Sequence, residues 1–77
     1  MDEITRNQGW SNHDTWHVNM LMTNTRAAYY EMKAALPTTE EKARTLFLKH
    51  FPNTLTSDKL DIVNWHELTE DWNIYGQ

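Results

Sequence analysis

The apolar residues of this chain recur mainly at spacings of three and four, the period of an α-helix. Trp16, Val18, Met20, Leu21 and Met22 predict a first helix from Asn12 to Thr23. Its apolar residues do not form one stripe. Trp16 and Met20 share one side, while Val18, Leu21 and Met22 share the other, so this helix is either central or has a second partner. Ala28, Met32, Ala35 and Leu36 predict a second helix from Arg26 to Leu36, opened by Asn24 or Thr25. Nothing between the two forbids continuation, so one bent helix is the alternative. Pro37 ends this segment, because proline turns the residue before it away from helical angles. Ala43, Leu46, Phe47, His50 and Phe51 predict a third helix, closed by Pro52. Residues 52–57 form a turn-rich link, and Ser57–Asp61 form one short helical turn. Trp65, Leu68 and Trp72 share one side of a last helix, with Gly76 as its natural stop. Only Asp61-Ile62-Val63 has the character to add to a strand edge. The expected fold is all-α: a single-domain bundle of three to four helices over residues 10–77, after a flexible arm over residues 1–9.

The helix starts carry capping residues. Ser11 is placed to cap the first helix, with Asp14 three residues on as a short capping partner. Thr38 is placed to cap the third, with Glu41 in the return position. The last start is the most complete. Asn64 caps, Glu67 stands at the return position, and Val63 and Leu68 form a hydrophobic staple.

Length and composition narrow the function classes. Seventy-seven residues make one domain at most, and a chain this short has a thin stability margin. Its nine Trp, Tyr and Phe residues compensate, because large aromatics bury the most apolar surface. There is no cysteine, so neither a disulfide nor a thiolate metal site is available. No apolar run reaches the roughly 20 residues of a membrane span. The charged N-terminus lacks the apolar stretch of a signal peptide, and the expected location is the cytoplasm. The net charge of −4 is unevenly placed. Residues 1–57 sum to zero, whereas residues 58–77 set Asp58, Asp61, Glu67, Glu70 and Asp71 against Lys59 alone. An acidic end argues against direct duplex binding, which depends on Lys and Arg neutralising phosphates.

Candidate chemistry is sparse. His13-Asp14-Thr15-Trp16-His17 places two histidines at i,i+4 with an acid after the first, the spacing of zinc proteases. A catalytic zinc also needs a third protein ligand. The plain reading is two surface histidines, with a His-based metal-dependent hydrolase as the weaker rival. His50 lies along the apolar line of the third helix and is expected to be partly buried. His66, at the start of the last helix, is expected to face solvent. No nucleophile elbow and no phosphate loop is present. The sequence reads as a protein that is not an enzyme, with no cofactor and no metal site.

Gly9-Trp10-Ser11-Asn12, Asp14-Thr15-Trp16, Val18 and Leu21 resemble the opening of a family of small uncharacterised phage and mobile-element proteins. Val63-Asn64-Trp65-His66-Glu67-Leu68 resembles the closing helix start of the same family. The two segments cover about a quarter of the chain; the middle does not match. The resemblance implies a phage origin and a helical fold, and it supplies no mechanism. Small acidic phage proteins often block host defences, including CRISPR–Cas and restriction systems. The expectation is therefore a phage-derived protein that acts by binding a protein partner, such as a host defence nuclease. Acids beside aromatics on a helix imitate the charge of nucleic acid and suit a basic groove. The expected contact residues are Glu67, Glu70 and Asp71, with Tyr30, Trp16 and Met20. A homodimer that buries the surplus apolar side of the first helix is the alternative.

Overall fold

The computed structural model describes residues 9–75, with only the backbone of Tyr75. Among the described residues the chain is all-α, with five helices and no strand: α1 (His13–Asn24), α2 (Arg26–Ala34), α3 (Glu40–His50), α4 (Ser57–Ile62) and α5 (Trp65–Tyr75). The expected bundle thus has one helix more, because the short turn after the link is a helix of its own. Asp61 and Ile62 belong to that helix, so the anticipated strand edge is absent. Of the expected arm, residues 1–8 lie outside the described residues, as does Gly76. Gly9 occupies a positive φ of 90°, a conformation that glycine adopts without steric cost.

α1 and α2 are separate helices. Thr25 breaks them with an extended backbone, φ −102° and ψ 114°. α2 ends two residues before Leu36, and the Leu36–Pro37 peptide is cis.

Two expected caps are displaced by one residue. α1 opens on Asn12 rather than Ser11: the Thr15 N–H donates to Asn12 Oδ1 at 2.8 Å. Asp14 thus lies in the first turn, where its charge suits the positive end of the helix dipole. α3 opens on Thr39 rather than Thr38, with the Lys42 N–H donating to Thr39 Oγ1 at 3.3 Å. Glu41 is therefore one position short of the return place. Thr38 is held by another element. Its N–H donates to Asn73 Oδ1 at 2.8 Å, and its carbonyl accepts from Asn73 Nδ2 at 3.0 Å. The side-chain amide thus fixes the loop between α2 and α3 onto α5. Thr56 caps α4.

α5 opens as expected on Asn64, whose Oδ1 accepts from the Glu67 N–H at 3.0 Å. Val63 and Leu68, the two halves of the staple, are both buried. The return bond is absent, because the Asn64 N–H donates to Thr15 Oγ1 at 2.8 Å instead.

The core draws on all five helices: Val18 and Met22, Ala28 and Met32, Ala43 and Phe47, Leu60, and Trp65, Leu68 and Trp72, with Val63 between α4 and α5. Phe47 is its fully buried centre, with ring centroids 5.3 Å from Phe51 and 6.0 Å from Trp65. The buried tryptophans have partners for their polar ends, as burial requires. Trp65 Nε1 donates to the Leu60 carbonyl at 3.1 Å, and Trp72 Nε1 donates to Asn19 Oδ1 at 2.9 Å. α3 packs between α2 and α5, while α1 packs on α2, α4 and α5.

Candidate functional site

The two tryptophan-marked helix starts meet in space and form one hydrogen-bonded unit. Asn12 Oδ1 accepts from both the N–H and the hydroxyl of Thr15, each at 2.8 Å. That leaves the Thr15 oxygen aimed at the Asn64 N–H. Asn12 Nδ2 donates to the Ile62 carbonyl at 3.2 Å. Ser11, displaced from the capping place, donates its N–H and hydroxyl to Glu67 Oε1 at 3.1 and 2.8 Å. Ser11, Asn12, Thr15, Asn64 and Glu67, the polar residues of these segments, therefore share a structural task. Thr15 is completely buried, so its partners matter more than a surface cap would.

Since α5 turns Trp65, Leu68 and Trp72 inward, its outer row is His66, Glu70 and Ile74 at i,i+4 and i,i+8. Ile74 is 67% exposed, and the His66 and Glu70 side chains are 66% and 64% exposed. His66 bridges two acids: Nδ1 lies 3.3 Å from Glu40 Oε2, and Nε2 lies 3.3 Å from Glu70 Oε2. Asp71 stands beside this row. Partial burial, and then the charge of Glu67, push its carboxyl above the usual aspartate range. Among the described residues, the Lys and Arg ion pairs are Arg44–Asp61 and Lys49–Glu31. Neither reaches Glu70 or Asp71.

The expected contact residues thus fall on three helices. Glu70 and Asp71 lie together on the outer side of α5. Of the two, Glu70 is exposed and Asp71 half-buried; Glu67 lies next to them, is likewise half-buried, and is engaged by Ser11. Tyr30 is on α2 and 63% exposed. Trp16 and Met20 lie on the side of α1 turned away from its buried residues Thr15, Val18 and Met22. Both are half-buried and outside the core cluster.

His13 and His17 flank Trp16, with ring centroids 5.2 and 6.3 Å from the indole and 6.0 Å from each other. Among the described residues, no group of three His, Cys, Asp or Glu side chains is gathered to hold a metal. His50 is largely buried, its side chain 17% exposed, and Nε2 hydrogen-bonds Glu31 Oε1. Glu31 Oε2 receives Lys49 Nζ at 2.7 Å. The hydrogen bonds from Lys49 and then His50 hold the Glu31 carboxyl below the usual glutamate range.

Sequence reasoning missed a shallow groove of about 570 Å³ between α2 and α3. Ala35 and Leu46 give it an apolar floor, and Glu31, Glu41, Lys42 and Lys49 ring it with both charges. Its walls come from two helices and a loop, so no local motif announces it.

No known protein family matches the chain, and neither does any curated protein or solved structure.

Proposed function

We propose that this protein acts by binding a protein partner through the acidic outer side of α5, and that the partner is a host defence nuclease. The carrying observation is the juxtaposition of Glu70 and Asp71 with exposed Ile74 on a helix whose other side is committed to the core. Two carboxylates around one apolar side chain suit a basic groove with an apolar floor. Complementary charge of this kind speeds encounter and selects partners. The phage setting rests on the two tryptophan-marked segments and their resemblance to small phage and mobile-element proteins. The concentration of the net charge in residues 58–77 supports a target that ordinarily receives nucleic acid. Glu67 contributes to the local field while its carboxylate holds Ser11.

The test is capture from a host extract, with mass spectrometry of the bound proteins, for the wild type and for Glu70→Lys/Asp71→Lys. Glu70 is exposed and Asp71 half-buried, so a thermal melt first establishes that the variant remains folded. The expected outcome is a captured nuclease subunit that the double variant no longer retains. Equal retention by a folded double variant would overturn the assignment of this face.

A further inference from the structure

α2 carries a face of opposite character to the outer side of α5. Arg26, Ala27, Tyr30, Lys33 and Ala34 are all exposed and lie on one arc of the helix. Ala28 and Met32 are buried on the opposite arc. The arc holds two cations and no acid. The one acid of α2, Glu31, turns aside to Lys49 and His50. Lys33 Nζ lies 5.7 Å from the Tyr29 ring centroid, which leans the ammonium along the aromatic side of the arc. Tyr30, at 63% exposure, is the apolar centre of this face, just as Ile74, at 67%, is the apolar centre on α5. Ala27 and Ala34 flank Tyr30 and allow another helix to approach closely.

We propose that the α2 face docks a second copy of this chain, through the outer side of that copy's α5. Arg26 and Lys33 meet Glu70 and Asp71 of the second copy, and Tyr30 packs against its Ile74. The surfaces are complementary in charge, and each has one exposed apolar residue at its centre. They belong to different helices, so the contact is heterologous: each copy offers one donor face and one acceptor face. The inference rests on α5 being a contact surface. It adds that self-association occupies the same face a basic partner would use, so a partner and a second copy compete for it. Exposed ion pairs contribute little each. The association is therefore weak, and it is screened as the Debye length falls from about 30 Å at 0.01 M salt to about 3 Å at 1 M.

Sedimentation equilibrium of the full chain at high micromolar concentration tests this. At low salt the wild type should show a weight-average mass above the monomer, falling to the monomer at 1 M salt. Arg26→Glu/Lys33→Glu and Glu70→Lys/Asp71→Lys should each raise the dissociation constant at least about tenfold, while circular dichroism confirms that both remain folded. An equal mixture of the two variants should associate again, because the reversed α2 face of one meets the reversed α5 face of the other. Three results would overturn the proposal: a wild type that is monomeric at every salt concentration, a mixture that stays monomeric, or an association lost with Trp16→Glu and kept in both charge-reversed variants. The last would place the contact on α1. A monomeric wild type that still captures a partner through Glu70 and Asp71 would end this inference and leave the binding role intact. Loss of capture specificity with salt-sensitive self-association preserved would do the reverse.

Discussion

Asn12 and Thr15 concentrate the local physics of this protein. One amide oxygen satisfies two donors of Thr15, and the Thr15 oxygen then accepts from the start of another helix. Asn12→Ala removes a cap and the tie to the Ile62 carbonyl, and a loss of about 1–2 kcal/mol is expected. Thr15→Val keeps the shape but leaves the Asn64 N–H without its acceptor, at a cost of about 1–3 kcal/mol. Urea unfolding measures both. Part of this was legible in the sequence. The Asn64 cap and its Val63–Leu68 staple are local features and were readable as such. The caps at the other two starts were not, because Ser11 and Asn12, and likewise Thr38 and Thr39, are capping residues side by side. Distant partners decide between them: Glu67 draws off Ser11, and Asn73 draws off Thr38.

The two shifted carboxyls act on stability in opposite directions. Glu31 is lowered from its ordinary 4.5 in the fold, so its contribution is present above that pH and is lost as pH falls through the lower folded value. Asp71 is raised from 3.8, so the folded state binds its proton more tightly and gains relative stability as pH falls through the raised value. Glu31→Gln should flatten the acid-side loss in a series of melts from pH 6 to pH 3. Asp71→Asn should raise the melting temperature near neutral pH and remove the gain on acidification. An unchanged acid limb in Glu31→Gln would assign the loss to other carboxylates.

At the scale of elements, α1 resolves a question that spacing alone left open. Its apolar residues point two ways because only one side belongs to the core. The helical period was readable, but the side that faces inward depends on α2, α4 and α5, which no local window contains. The division between α1 and α2 was readable, with Thr25 as one of two candidate openers, but one bent helix stayed open because Thr25 breaks the helix through its backbone and without a side-chain cap bond. Asn73 ties the loop before α3 to α5 through both backbone groups of Thr38. Asn73→Ala should therefore cost about 1–3 kcal/mol, more than an ordinary surface substitution. Phe47 stands at the centre of the core, and Phe47→Ala should cost about 3–5 kcal/mol. In a domain whose total is of the order of 5 kcal/mol, that leaves about 0–2 kcal/mol, so up to about half of the chains are unfolded. Circular dichroism melts would register both changes.

The whole molecule is a bundle in which the starts of the first and last helices are pinned together. Ser11 and Glu67 lie 56 residues apart, yet their starts form one unit. This joining gives the two tryptophan-marked segments one shared structural role. The exposed arc of α2 and the Ile74 side of α5 are among the described surfaces that the core does not use. The acidic charge of the last helix was legible from composition. Its division into an engaged Glu67 and an outward Glu70 was not, because that depends on where Ser11 lies. A double-mutant cycle between Ser11→Ala and Glu67→Ala, read by urea unfolding, tests the joined starts most directly. The expected result is a coupling energy of about 1 kcal/mol between two sites remote in sequence. Additive effects, within about 0.3 kcal/mol, would contradict it and separate the two helix starts.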